Sequence, residues 1–146
     1  MKRIITTLEE KKALATELLR IQPKAMNGLE NDFAMALLLQ LDLEVVGHNC
    51  FKENVYVRYP DAKSFRHFSP TSYPADFLYL LEHAEVVVST HTHDDETNPS
   101  KRFWYSAHSY MGNTHAEGFN LRTVACEALT RRLAHDVEFS SKWGNP

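Results

Sequence analysis

The sequence predicts an α+β domain in which helices are layered on an antiparallel sheet, an α/β/α sandwich-like arrangement in the order α-α-β-β-α-β-β-α. From Glu85 to Ala134, β-branched and aromatic runs give way to a segment with apolar residues at helical spacing. Upstream, two helical stretches precede another pair of strand-like runs joined by a polar connection. Strands joined by short turns are antiparallel by geometry, since a parallel pair needs a crossover of roughly a dozen residues.

The first helix starts at Thr7-Leu-Glu-Glu10, which fits a capping box, and ends before Gln22-Pro23. Asn27-Gly28 marks a turn. The second helix, Leu29 to Leu41, is apolar nearly all round (Phe33 to Leu39), so it is buried on more than one side, in the core or at a subunit contact. Glu44-Val-Val-Gly-His48 and Asn54-Val-Tyr-Val-Arg-Tyr59 read as strands, and Ala62 to Thr71 as a loop anchored by Phe65 and Phe68, with Arg66 and His67 facing solvent. Pro74 sits in the first turn of a third helix with Ser72 or Tyr73 at its cap, and Phe77, Leu80, Leu81 and Ala84 line its apolar face. Glu85-Val-Val-Val-Ser-Thr-His91 and Lys101-Arg-Phe-Trp-Tyr-Ser-Ala-His108 form the central ribbon around the turn formers Asp94 to Pro99. Met111 to Gly118 reads as a flexible connection. Leu121, Val124, Ala125, Ala128, Leu129 and Leu133 then give the last helix one face to lay on that ribbon.

With 146 residues and no linker or repeat, the chain reads as a single domain, 1–146, with an N-terminal helix in 1–26 and a tail at 135–146. Phe139 and Trp143 in that tail predict that it docks on the domain or on a neighbouring subunit. A net charge of −3 with scattered basic residues argues against a general nucleic-acid binder and against double-stranded RNA. Cys50 and Cys126 make neither a disulfide framework nor a metal pattern, and Cys126, beside the apolar stripe, predicts buried packing. No signal-peptide pattern and no membrane span of ~18 apolar residues is found, so a reduced, soluble, cytoplasmic protein is expected.

An apolar helix, a strand region, Phe68-Ser-Pro-Thr-Ser72 leading into a helix, an aromatic strand with Trp104 and the Ala-rich Val124-Ala-Cys-Glu-Ala-Leu129 together resemble the small bacteriophage proteins grouped as the phage ABA sandwich domain. The likeness covers about Leu29 to Leu133. Where that family commonly shows Met-Gly-Trp, this chain has Val46-Gly47-His48. The resemblance implies a three-layer fold and a phage or prophage origin in a bacterial host, and it brings no catalytic residues.

Two constellations could carry chemistry. In His91-Thr-His-Asp-Asp-Glu96, His91 and His93 share a strand face about 6.5–7 Å apart, with Asp95 on the same face if the strand continues. Two imidazoles and a carboxylate with an open position describe a catalytic zinc site that would activate water. The plainer alternative is a solvated hairpin tip. His91-Thr-His93 is also similar to the His-x-Thr pairs of two-histidine phosphoesterases, but neither His108-Ser-Tyr110 nor His115-Ala-Glu117 supplies the second pair. The other constellation is Arg102, Trp104, His108 and Tyr110, one parity of the aromatic strand, able to stack a base and pair a phosphate. Phe103, Tyr105 and Ala107 are the more apolar parity, so alternation sends the Trp104 set outward.

These readings predict a non-enzymatic, self-associating binding protein. It would sequester a small anionic, nucleotide-like ligand or a host protein, with counter-defence as one role such capture serves, and needs no cofactor. The alternative is a zinc-dependent hydrolase built on His91, His93 and Asp95.

Overall fold

The computed structural model describes residues 2–47, 50–92, 103–109 and 114–144. Its elements are β1 (Lys2–Ile5), α1 (Leu8–Leu18), α2 (Gly28–Leu38), β2 (Asp42–Val46), β3 (Val55–Arg58), β4 (Arg66–Phe68), α3 (Pro74–His83), β5 (Val87–Thr92), β6 (Phe103–His108), β7 (Ala116–Gly118) and α4 (Leu121–Phe139). All strand pairs are antiparallel, in a four-stranded sheet β1-β2-β3-β4 and a three-stranded sheet β5-β6-β7. The α+β class is therefore the one the sequence predicts. Three short strands join the expected set: β1 ahead of the first helix, β4 inside the expected 62–71 loop, and β7 inside the expected 111–118 connection. Each lies at a sheet edge and is three or four residues long, too short for alternation to register.

The layer order differs from the expected α/β/α arrangement: α2 and α4 lie between two sheets, because α4 carries apolar residues on both flanks and buries each of them. On one side α4 packs against α2, and on the other it packs against β6 and β7. Ala125, Cys126, Leu129 and Leu133 belong to the main core with Phe33, Leu37, Leu43 and Val57, while Val124 and Ala128 meet Ala107 and Ala116 of the smaller sheet. Gly118 permits the close approach, because a Cβ there would sit 3.0 Å from Val124 Cγ2. Phe33 to Leu37 are completely buried, which places the apolar second helix in the core.

The helix ends follow local chemistry. Thr7 and Glu10 form the expected capping box. Asn27 and Glu30 form a second, so Asn27-Gly28 opens α2 as well as turning the chain. At the other end of α2 the chain reverses through Gln40 in the left-handed region (φ 54°), and Leu39 to Leu41 leave the helix. Lys11 Nζ donates to the Gln40 carbonyl at 2.8 Å and reaches Asp42 at 3.2 Å.

Phe68-Ser-Pro-Thr-Ser72 is clasped by two buried carboxylates. Asp32 accepts from Ser69 Oγ (2.6 Å), Thr71 Oγ1 (2.9 Å) and the Thr71 amide (3.1 Å). Asp76 accepts from the Ser69 amide (2.9 Å), Tyr59 hydroxyl (3.3 Å) and Arg66 (3.3 Å). Arg66 and His67 are thus both engaged, His67 between Tyr56 and Tyr73, rather than simply solvated. In α3, Phe77 and Leu80 are buried as expected, whereas Leu81 is exposed.

Helix α4 extends to Phe139, beyond the Leu133 end expected from the sequence, so 135–139 are helical rather than tail. Ser140 then caps a 3-10 turn, Ser141–Trp143, whose Trp143 is buried in the core, while Phe139, expected to dock with it, is exposed. Gln40 Nε2 donates to the Lys142 carbonyl at 2.9 Å, fastening that turn to the end of α2.

Candidate functional site

Cross-strand register decides which side chains share a face of the small sheet, since directly opposite residues in an antiparallel pair point the same way. Val88, Ala107 and Ala116 lie in one row, with Thr90, Tyr105 and Gly118 in the next. This is the face that α4 covers. The opposite face carries His91 beside Trp104, then Ser89, Ser106 and Glu117 in a row, then Val87 beside His108. The strand's alternation falls as the sequence suggests at Tyr105 and Ala107, whereas Phe103, of the same parity, is exposed at the start of β6.

On the open face the His91 imidazole stacks on the Trp104 indole, centroids 3.9 Å apart and planes 17° apart. A 2.9 Å hydrogen bond joins His91 Nε2 to Ser106 Oγ and fixes the ring. Both rings are half-buried, and His108 is exposed at the far end of β6. At the β7 side, His115 Nε2 meets Glu117 Oε1 at 2.9 Å. Of the expected ligand set, Trp104 and His108 are thus on one face, while Arg102 and Tyr110 lie outside the described residues. Of the expected zinc set only His91 is described; His93 and Asp95 lie outside. Among the described residues no three His, Cys, Asp or Glu side chains cluster as a metal site.

The end of this ribbon is latched to the interior. Ser109, just past β6, donates from Oγ to the Glu85 carbonyl at 2.6 Å and receives Arg132 NH1 at 2.7 Å. Arg132 Nε donates to both oxygens of Asp136 at 2.9 Å, and both side chains are buried. Sequence reading missed this pair, although an Arg and an Asp four apart on a helix (132 and 136) are a readable signal. The same pair lines a cleft of about 310 Å³ with Leu39, Tyr79, His83 and Leu129. Tyr79 and His83 stack there at 4.0 Å and 20°. Arg132 and Asp136 thus fasten β6 to α4 while forming one wall of the cleft.

No family model, curated protein or solved structure matches this chain. The site's meaning therefore rests on its geometry. Cys126 is fully buried and its thiol is pushed up by burial, the state of a packing residue and not of a nucleophile. Cys50 is buried on a 3-10 turn and its thiol is likewise raised by burial.

Proposed function

We propose that this is a non-enzymatic, self-associating binding protein that uses the open β5–β6–β7 face to hold a flat, anionic, nucleotide-like ligand or the surface of a host protein. The observation that carries this reading is the His91–Trp104 stack held by Ser106. A preformed pair of parallel rings on a sheet offers an additional ring a place to continue the stack without first ordering side chains. His108, exposed at the end of the same face, adds a ring nitrogen that can donate to an anionic group. In this reading the resemblance to phage ABA sandwich proteins reflects a phage origin, and capture serves counter-defence in the cytoplasm of the bacterial host. No described helix is long and apolar enough to cross a membrane. Calorimetric titration of the full chain with mono-, di- and cyclic nucleotides tests the small-ligand arm. Heat with wild type that disappears in Trp104→Ala is the expected result. Absence of heat and of any melting shift with every nucleotide removes that arm.

A further inference from the structure

We propose that two copies of the chain associate by pairing β5 with β5, antiparallel about a twofold axis at Thr90, to make one continuous six-stranded sheet. This deepens the self-association part of the function proposed above.

The edges of the two sheets are not equivalent. An exposed edge presents unpaired amides and carbonyls, and proteins blunt such edges with charge, proline, bulges or short length. The edge strand β1 carries Lys2 and Arg3. The edge strands β4 and β7 are three residues each and carry Arg66 and Glu117 respectively. By contrast β5, Val87-Val-Ser-Thr-His-Thr92, is six residues long and contains no proline, lysine, arginine or carboxylate. Its register with β6 runs without a bulge from Val87 to Thr92, and among the described residues β6 is its only strand neighbour. Four of its six residues are β-branched, the composition that suits a sheet interior better than a rim.

The cover over this sheet also stops short of β5. Helix α4 lies on β6 and β7, so Thr90 and Thr92 are exposed although they point to the helix side, and Val87 is 55% exposed on the other.

Parity limits the axis to passing between a residue and its own copy. Opposed residues must share a face, so about a twofold perpendicular to the sheet one residue has to oppose itself. With the axis at Thr90, Ser89 opposes the partner's His91 and Val88 opposes the partner's Thr92. Among the described residues of β5 no carboxylate or ammonium group faces the partner strand, so these pairs carry no built-in repulsion. The open faces merge, and the row Trp104, His91 continues into the partner's Ser89 and Ser106. Two stacked platforms then sit on one surface.

Sedimentation equilibrium and native mass spectrometry of the full chain, from low to high micromolar, read the outcome. Wild type is expected to be a dimer. Thr90→Lys and Thr90→Glu, at an exposed position, each place like charges across the axis and should weaken dimerisation by about tenfold or more. Mixing the two variants should restore a one-to-one heterodimer. Circular dichroism matching wild type shows that each variant is folded. A monomeric wild type overturns the proposal, as does a Thr90→Lys dimer as tight as wild type, or a mixture that stays monomeric. Nucleotide titration of the same samples separates the two ideas: a monomer that binds leaves the ligand reading standing, and a dimer that does not bind leaves the seam standing.

Discussion

His91 lies flat on Trp104, 3.9 Å between ring centroids, and Ser106 Oγ holds its Nε2 at 2.9 Å. Ring, ring and hydroxyl come from both strands of one ribbon, on the side away from α4. Such a pair adds about 0.5–1.5 kcal/mol beyond its burial. Ser106→Ala should therefore free the imidazole with little loss of stability and weaken the near-ultraviolet circular dichroism of Trp104. Its melting temperature staying near wild type while that signal falls is the expected combination; an unchanged spectrum would show that stacking does not depend on the hydroxyl.

Asp32 offers a pH test of the clasp. Burial holds its carboxyl above the ordinary value, with hydrogen bonds from Ser69 and Thr71 opposing the shift. A raised folded-state pKa makes the protonated form the better partner of the fold. That contribution is complete below the unfolded value of about 3.9 and is lost as pH rises through the folded-state value. Asp32→Asn stays neutral, so its stability relative to wild type should improve as pH rises through that window. Urea unfolding across the range checks it; a flat difference contradicts the assigned cause.

The expected α+β class and antiparallel pairing could be read because they rest on period and turn residues, as in Val55–Arg58 and Leu121–Leu133. The three added strands could not. Arg66–Phe68 and Ala116–Gly118 are extended because a neighbour pairs with them, and that is tertiary information. Trp104's outward side followed from the apolar character of Tyr105 and Ala107. The contact between His91 and Trp104 required the register, which the residues between the two strands do not specify. Gln40 shows the same limit: Leu39 to Leu41 look helical until the left-handed turn separates them.

Removing Arg132 should be far more harmful than removing the pair. Arg132→Ala leaves the buried Asp136 carboxylate without its guanidinium, a change of about 3–5 kcal/mol. Arg132→Met combined with Asp136→Leu should recover most of that loss. Chemical denaturation of the two single variants and the double variant measures the coupling, and simple additivity would refute it.

At Gln40 two effects oppose. Its left-handed backbone is unfavourable by roughly 1–2 kcal/mol for a residue with a side chain. The hydrogen bond its side-chain amide donates to the Lys142 carbonyl returns about 1 kcal/mol. Gln40→Gly should accordingly melt near wild type yet expose the Ser141–Trp143 turn to faster proteolysis, whereas Gln40→Ala should lose on both measures. Equal cleavage rates in all three proteins would show that the amide does not secure the turn.

Helix α4 gives one flank to the main core that α2 shares with the four-stranded sheet, through Leu129 and Leu133, and the other to the smaller sheet, through Val124 and Ala128. Neither wall therefore owns an independent interior, and the two should melt together as one cooperative unit. A guest held on the outer ribbon as proposed should then stiffen the four-stranded wall as well, and amide exchange in β2 and β3 would report its occupancy. Transplanting the ribbon to another scaffold would mean carrying the shared rod with it.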